Sequence, residues 1–204
     1  MRWVVTSLLA LALAQATDLP PAYPRPGATL MLENTRVQVW NIAWLKQQYP
    51  LHRHRYDLVG VYYAPGDRII VSTDGGRRPV STEAWQTAFQ KSGVTHIEEG
   101  ASDRPLRAVF VELKEPAASG RMDTTASSPA AFAPGSGKPL TDNERSTVWE
   151  LAPVPAPSPH RHVRDAVAVA FENGNPRVVW IPAGTTHSEE IAGKAERVYV
   201  FEVK

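Results

Sequence analysis

"LHRHRYDLVGVYY" (Leu51–Tyr63) and "PHRHVRDAVAVAF" (Pro159–Phe171) share one pattern: His-Arg-His, two further residues, an Asp, then an apolar run. The 204-residue chain contains six histidines, and these two stretches hold His52, His54, His160 and His162. A repeat this specific invites a search on either side for a longer one.

The repeat extends in both directions. Upstream, "ENTRVQVWNIAW" (Glu33–Trp44) matches "DNERSTVWELAP" (Asp142–Pro153), each placing an Asn, an Arg and then Val-Trp. Downstream, "SGVTHIEE" (Ser92–Glu99) matches "AGTTHSEE" (Ala183–Glu190), and each copy closes on an apolar strand, "RAVFVELK" or "RVYVFEVK". The features come in the same order, so the chain reads as a duplicated unit, residues 28–114 and 140–204. Residues 115–139, rich in Ala, Ser, Pro and Gly and without hydrophobic periodicity, read as a linker. A domain as small as the second copy is marginal alone, so it is expected to bury one face against the first. Its apolar runs, like those of the first copy, are short, β-branched or aromatic, and bounded by Pro, Gly and Asp, which predicts an all-β protein. The exception is "VSTEAWQTAFQ" (Val80–Gln90), where Thr82 and Glu83 are placed to open a helical turn.

The remaining histidines, His96 and His187, occupy matching places in the two copies. On a strand, residues i and i+2 share a face about 6.5 to 7 Å apart, so His52 and His54, or His160 and His162, can converge on one ion. A third His from a neighbouring strand completes a facial set of nitrogens with open positions left for chemistry. Both copies keep all three histidines although the residues around them differ. The expected cofactor is therefore a divalent metal ion. Trp40 and Trp149 match between copies and are expected to fill the core.

The His-x-His pair followed by "PAGTTH" (Pro182–His187) resembles the two motifs of the cupin superfamily, and two such units resemble a two-domain, or bicupin, protein. The resemblance covers nearly all of the chain after its first residues. It implies two tandem cupin-type barrels (double-stranded β-helix, or jelly-roll), with Fe, Mn, Zn, Ni or Cu inside. Cupins include dioxygenases, decarboxylases, isomerases and non-catalytic binders, so the motif does not select an activity. Two departures stand out: Lys91 replaces the motif's proline in "KSGVTH", and the usual Glu after the second His is absent. The nearest acids there are Asp57 and Asp165. Each is a candidate ligand, although strand parity turns an i+3 residue away from the second His and suits it equally to orienting a neighbour. Glu98 and Glu189 lie two residues past the third histidines, on their face, and are candidate ligands or proton-transferring bases; a solvated barrel rim is the alternative. In the first copy, which has the longer path between its second and third histidines, the loop "STDGGRRP" (Ser72–Pro79) places Arg77 and Arg78 where they can cover the site mouth.

The bulk numbers limit partners and location. Twenty-two basic residues against 21 acidic ones, net +1, with no basic run, disfavour nucleic acid. Arg2, the apolar stretch Trp3–Ala14 and the Ala-Gln-Ala sequence at 14–16 read as a signal peptide (residues 1–16). That stretch is shorter than the roughly 20 residues that span a bilayer. The expectation is a periplasmic or secreted protein without stable membrane insertion after cleavage. With no cysteine, any metal must be held by nitrogen and oxygen ligands. Two functions compete: an enzyme of oxygenase or decarboxylase type acting on a small molecule, and a non-catalytic module that binds a metal or small ligand. A metal that only staples the fold is a third.

Overall fold

The structure is a computed structural model, and it describes residues 18–114, 139–151, 159–188, 191 and 193–204. The signal-peptide segment, nearly all of the linker, and Glu189 lie outside the described residues. No helix among the described residues is long and apolar enough to cross a membrane.

The first half contains β1 (Ala28–Glu33), β2 (Val37–Trp44), β3 (His52–Arg53), β4 (Asp57–Ala64), β5 (Gly66–Val71), β6 (Arg77–Thr82), β7 (Thr87–Gln90), β8 (Thr95–Gly100) and β9 (Leu106–Leu113). The second contains β10 (Thr141–Asp142), β11 (Ser146–Leu151), β12 (His160–Arg161), β13 (Asp165–Glu172), β14 (Asn175–Ile181), β15 (Thr186–His187) and β16 (Arg197–Val203). Five-stranded sheets run β1-β2-β9-β4-β7 and β10-β11-β16-β13-β14, the same order built from corresponding strands. Opposite them stand the four-stranded sheet β3-β8-β5-β6 and the pair β12-β15. The described strand pairs within these sheets are antiparallel.

The apolar runs are nearly continuous because their strands are covered on both faces. On β9, Leu106, Ala108 and Phe110 join the interior of the first barrel, whereas Val109, Val111 and Leu113 point the other way. On β13, Ala166, Ala168 and Ala170 face the second interior while Val167, Val169 and Phe171 face outward. The outward residues of both halves form one shared core. Alternation of period two thus divides each central strand between its own barrel and the other half.

The stretch Val80–Gln90 is not helical. It is the end of β6, a turn, and β7, which pairs with β4 from Leu58↔Gln90 to Val61↔Thr87. Trp85 sits in that turn at a φ of 69°, exchanging backbone bonds with the Tyr62 region. Its ring stacks 6.2 Å from Tyr199 and meets Phe171 edge-on at 5.2 Å. Burying an indole against the second half outweighs a weak capping preference.

Candidate metal centre

His52 and His96 are directly opposed in register across β3 and β8. His54 lies just past β3, where its N–H donates to Val94 O at 2.9 Å and its carbonyl accepts from Gly93 N at 2.8 Å. Gly93 has a φ of 82°, a conformation that glycine adopts without penalty. The turn delivering His96 is therefore bonded to the backbone of His54, and the three rings are positioned together. The ring centroids are 4.8 to 5.2 Å apart, and one nitrogen from each ring lies within 4.8 Å of the others.

All three side chains are buried. His52 Nδ1 lies 2.9 Å from Pro50 O, which fixes the proton there and leaves Nε2 as the lone-pair nitrogen. That Nε2 is buried without a partner. His54 Nε2 and His96 Nε2 approach to 3.3 Å, close to the roughly 3 to 3.5 Å spacing of two nitrogens sharing a small divalent ion. Burial pushes all three rings toward the neutral form; the neighbouring rings add to this for His54, which falls to about 3, while His96 falls to about 4. Neutral imidazoles, an orphaned ring nitrogen and a facing nitrogen pair fit a divalent metal.

Glu98 lies on the same face of β8 as His96, its Oε1 4.0 Å from His96 Nε2. Its other oxygen accepts from Trp44 Nε1 at 3.0 Å and from Arg25 at 2.5 Å. Burial alone would raise its pKa, but Arg25, then Arg68 and His96, hold it down to about 2. Glu98 is thus a fixed negative charge beside the histidines and a weak proton acceptor. Arg25 arrives on the N-terminal strap, which is anchored by Arg53 N to Pro20 O and Ala43 N to Gly27 O. Its guanidinium lies 4.1 Å from the Tyr49 ring centroid, with Tyr23 and Trp44 also close. Neither Arg25 nor Arg68 belongs to a motif, and nothing in the sequence singles them out.

Asp57 and Asp165 have other partners. Asp57 Oδ1 accepts from Ser92 N at 2.7 Å, and Asp165 Oδ1 accepts from Ala183 N at 2.9 Å, each clamping the turn ahead of the third histidine. Their second oxygens face the opposite half, Asp57 toward Arg145 and Asp165 toward Arg36, both at 3.7 Å. These arginines come from the matched Asn-x-Arg turns. The reciprocal pairs give the acids a turn-holding and interface role, and Asp57 is not in the three-histidine group.

In the second half, His160 opposes His187 in register and His162 is fully buried, its ring 5.0 Å from that of His187. Only backbone placement is described for His160, and Glu189 lies outside the described residues. Trp149 Nε1 donates to Glu202 at 3.2 Å as Trp40 Nε1 does to Glu112 at 3.0 Å. These tryptophans fill the core as expected, and each brings a carboxylate with it.

Beside His96 and Glu98 opens a cavity of about 540 Å³, walled by Arg68, Ile70, Arg77, Arg78 and Gln90 among others. Six of the eleven lining residues belong to the hairpin formed by β5, β6 and the turn between them. This hairpin occupies the longer path between the histidines of the first half, and the described residues of the second half have no counterpart to it.

No protein-family model matches the chain, and no curated protein does. Among solved structures, it is similar to AerE from Microcystis aeruginosa, with 9% identity over 91% of this chain and 97% of that one and a TM-score of 0.57. A cupin domain from Bordetella pertussis Tohama I matches 46% of this chain and 99% of its own at 26% identity, TM-score 0.40. A cupin 2 conserved barrel domain protein from Leptotrichia buccalis matches 87% of this chain and 88% of its own at 13% identity, TM-score 0.46. The chain is all-β, built of antiparallel sheets, and its fold is similar to that of AerE.

Proposed function

We propose that this is an exported bicupin whose first barrel binds a divalent metal through His52, His54 and His96 and acts there on a small molecule, in oxygenase- or decarboxylase-type chemistry. The observation that carries the reading is the buried triad, with its orphaned His52 nitrogen, beside the cavity at His96. A bound ion would supply Lewis-acid polarisation of a substrate oxygen or a seat for O₂. The chain's own residues hold the rings neutral, place a permanent negative charge at Glu98 beside them, and screen both from water with the Arg25 strap. Export rests on the first sixteen residues. Burial of Ala22 and Tyr23 supports a cleavage site upstream of the strap, and intact mass should give a mature N-terminus at Thr17.

Metal analysis of untagged protein tests the site: His54→Ala should lose most of the metal bound in the first half, and an unchanged content rejects it. One observation favours the alternative of a non-catalytic binding module. A carboxylate held near pKa 2 is poorly matched to proton abstraction. Turnover by the metal-loaded protein in a screen of small carboxylates and phenols separates the two readings, since a binding module turns over none.

A further inference from the structure

Resting on that reading of the first barrel, we infer that its ligand is a small organic anion, whose carboxylate or phosphate is received by Arg68 and Gln90 in the cavity beside His96. The cavity wall carries Arg68, Arg77 and Arg78 and one acid, Glu98. Arg77 is matched by Glu99 at 2.7 Å, and Glu98 is matched in direct contact by Arg25. Arg68 and Arg78 form no ion pair among the described residues. Arg68 feels the negative charge of Glu98 without pairing with it, and Glu98 is already bonded to Arg25, so the wall keeps an excess of positive charge that a ligand anion would balance.

Arg68 is held in place without being neutralised. Its guanidinium lies 5.2 Å from the Trp44 ring centroid and 5.1 Å from that of Tyr62, a cation–π arrangement that fixes the plane of the fork. Tyr62 is also a hydrogen-bond partner of this guanidinium, and Gln90 lies on the same cavity wall. The Arg68 guanidinium, the Gln90 amide and Arg78 thus line one space, a donor set suited to a carboxylate or phosphate. At about 540 Å³ the space falls within the range of small-molecule sites. Arg78 is exposed at the cavity mouth and acts on approach more than on the bound state.

Isothermal titration with benzoate, phenyl phosphate and the neutral isostere benzamide tests the inference on the full chain. Wild-type protein should bind at least one of the anions about tenfold or more tighter than benzamide, and the tighter anion identifies the headgroup. Arg68→Gln should weaken anion binding by about 10- to 100-fold and leave benzamide nearly unchanged. Arg78→Gln, a surface change that does not threaten folding, should cause a smaller loss that disappears at high salt. Equal affinity for the three ligands, no detectable anion binding, or an Arg68→Gln variant that keeps the preference overturns the proposal. The titrations are repeated on His54→Ala. Selection for the anion should survive there, so failure of the metal site and failure of the anion site register separately.

Discussion

At the scale of single residues, the Trp–Glu pairs carry a consequence for stability. Glu112 is 3% exposed, and burial raises its pKa to about 7 against the opposing pull of Trp40, Arg55 and Lys114. The folded protein therefore holds a proton there that the unfolded chain releases near its ordinary value of 4.5. Stability from this group is full below that value and is lost as pH rises through about 7, amounting to roughly 3 kcal/mol by pH 8. Glu112→Gln, neutral at every pH, should match wild type near pH 4 and exceed it at pH 8 in urea unfolding. A wild-type and variant difference that is flat across this range would contradict the assignment.

At the scale of elements, the barrel walls depend on small residues opposite large ones. Gly60 on β4 faces Phe110 on β9, and a Cβ at Gly60 would lie 2.0 Å from the Phe110 ring and 2.4 Å from Val109 O. The corresponding pair in the second half is Ala168 opposite Val200, where a smaller partner leaves room for the methyl group. Gly60→Ala should cost about 1 to 3 kcal/mol through overpacking. Adding Phe110→Val, which copies the second half, should return part of that loss in a double-mutant cycle. Strict additivity of the two changes would show that the pair does not act as a unit.

At the scale of the whole molecule, the two halves are joined by a core and by a reciprocal pair of ion pairs. Tyr63 and Trp85 of the first half pack on Phe171 and Tyr199 of the second, while Arg36 meets Asp165 and Arg145 meets Asp57. Partly exposed ion pairs at 3.7 Å contribute little energy and serve mainly orientation. The apolar face supplies the stability. Residues 139–204 expressed alone would expose Val148, Val167, Val169, Phe171, Tyr199, Phe201 and Val203 to water. That fragment should therefore bind a hydrophobic dye and melt without a cooperative transition, whereas the intact chain unfolds cooperatively. A sharp, high-temperature transition from the fragment would show that the shared core is dispensable.

The sequence by itself determined the β class, the matching order of strands and the first histidine triad. These depend on local alternation, on turn residues such as Gly93, and on a motif whose spacing survived in both copies. Strand parity also placed Glu98 beside His96 correctly, because both lie on one uninterrupted strand. The same argument could not assign Asp57, since β3 ends at Arg53 and the chain bends before β4 begins. Its partner, Arg145, comes from the other half, and no local pattern records a contact made across the molecule. Arg25, Arg68 and the positive φ of Trp85 belong to tertiary structure for the same reason. Each is placed by what it meets in space: an aromatic box, a cavity wall, the face of the second half. Periodicity shows which side of a strand is buried, and only the packed molecule decides what lies on the far side of that burial.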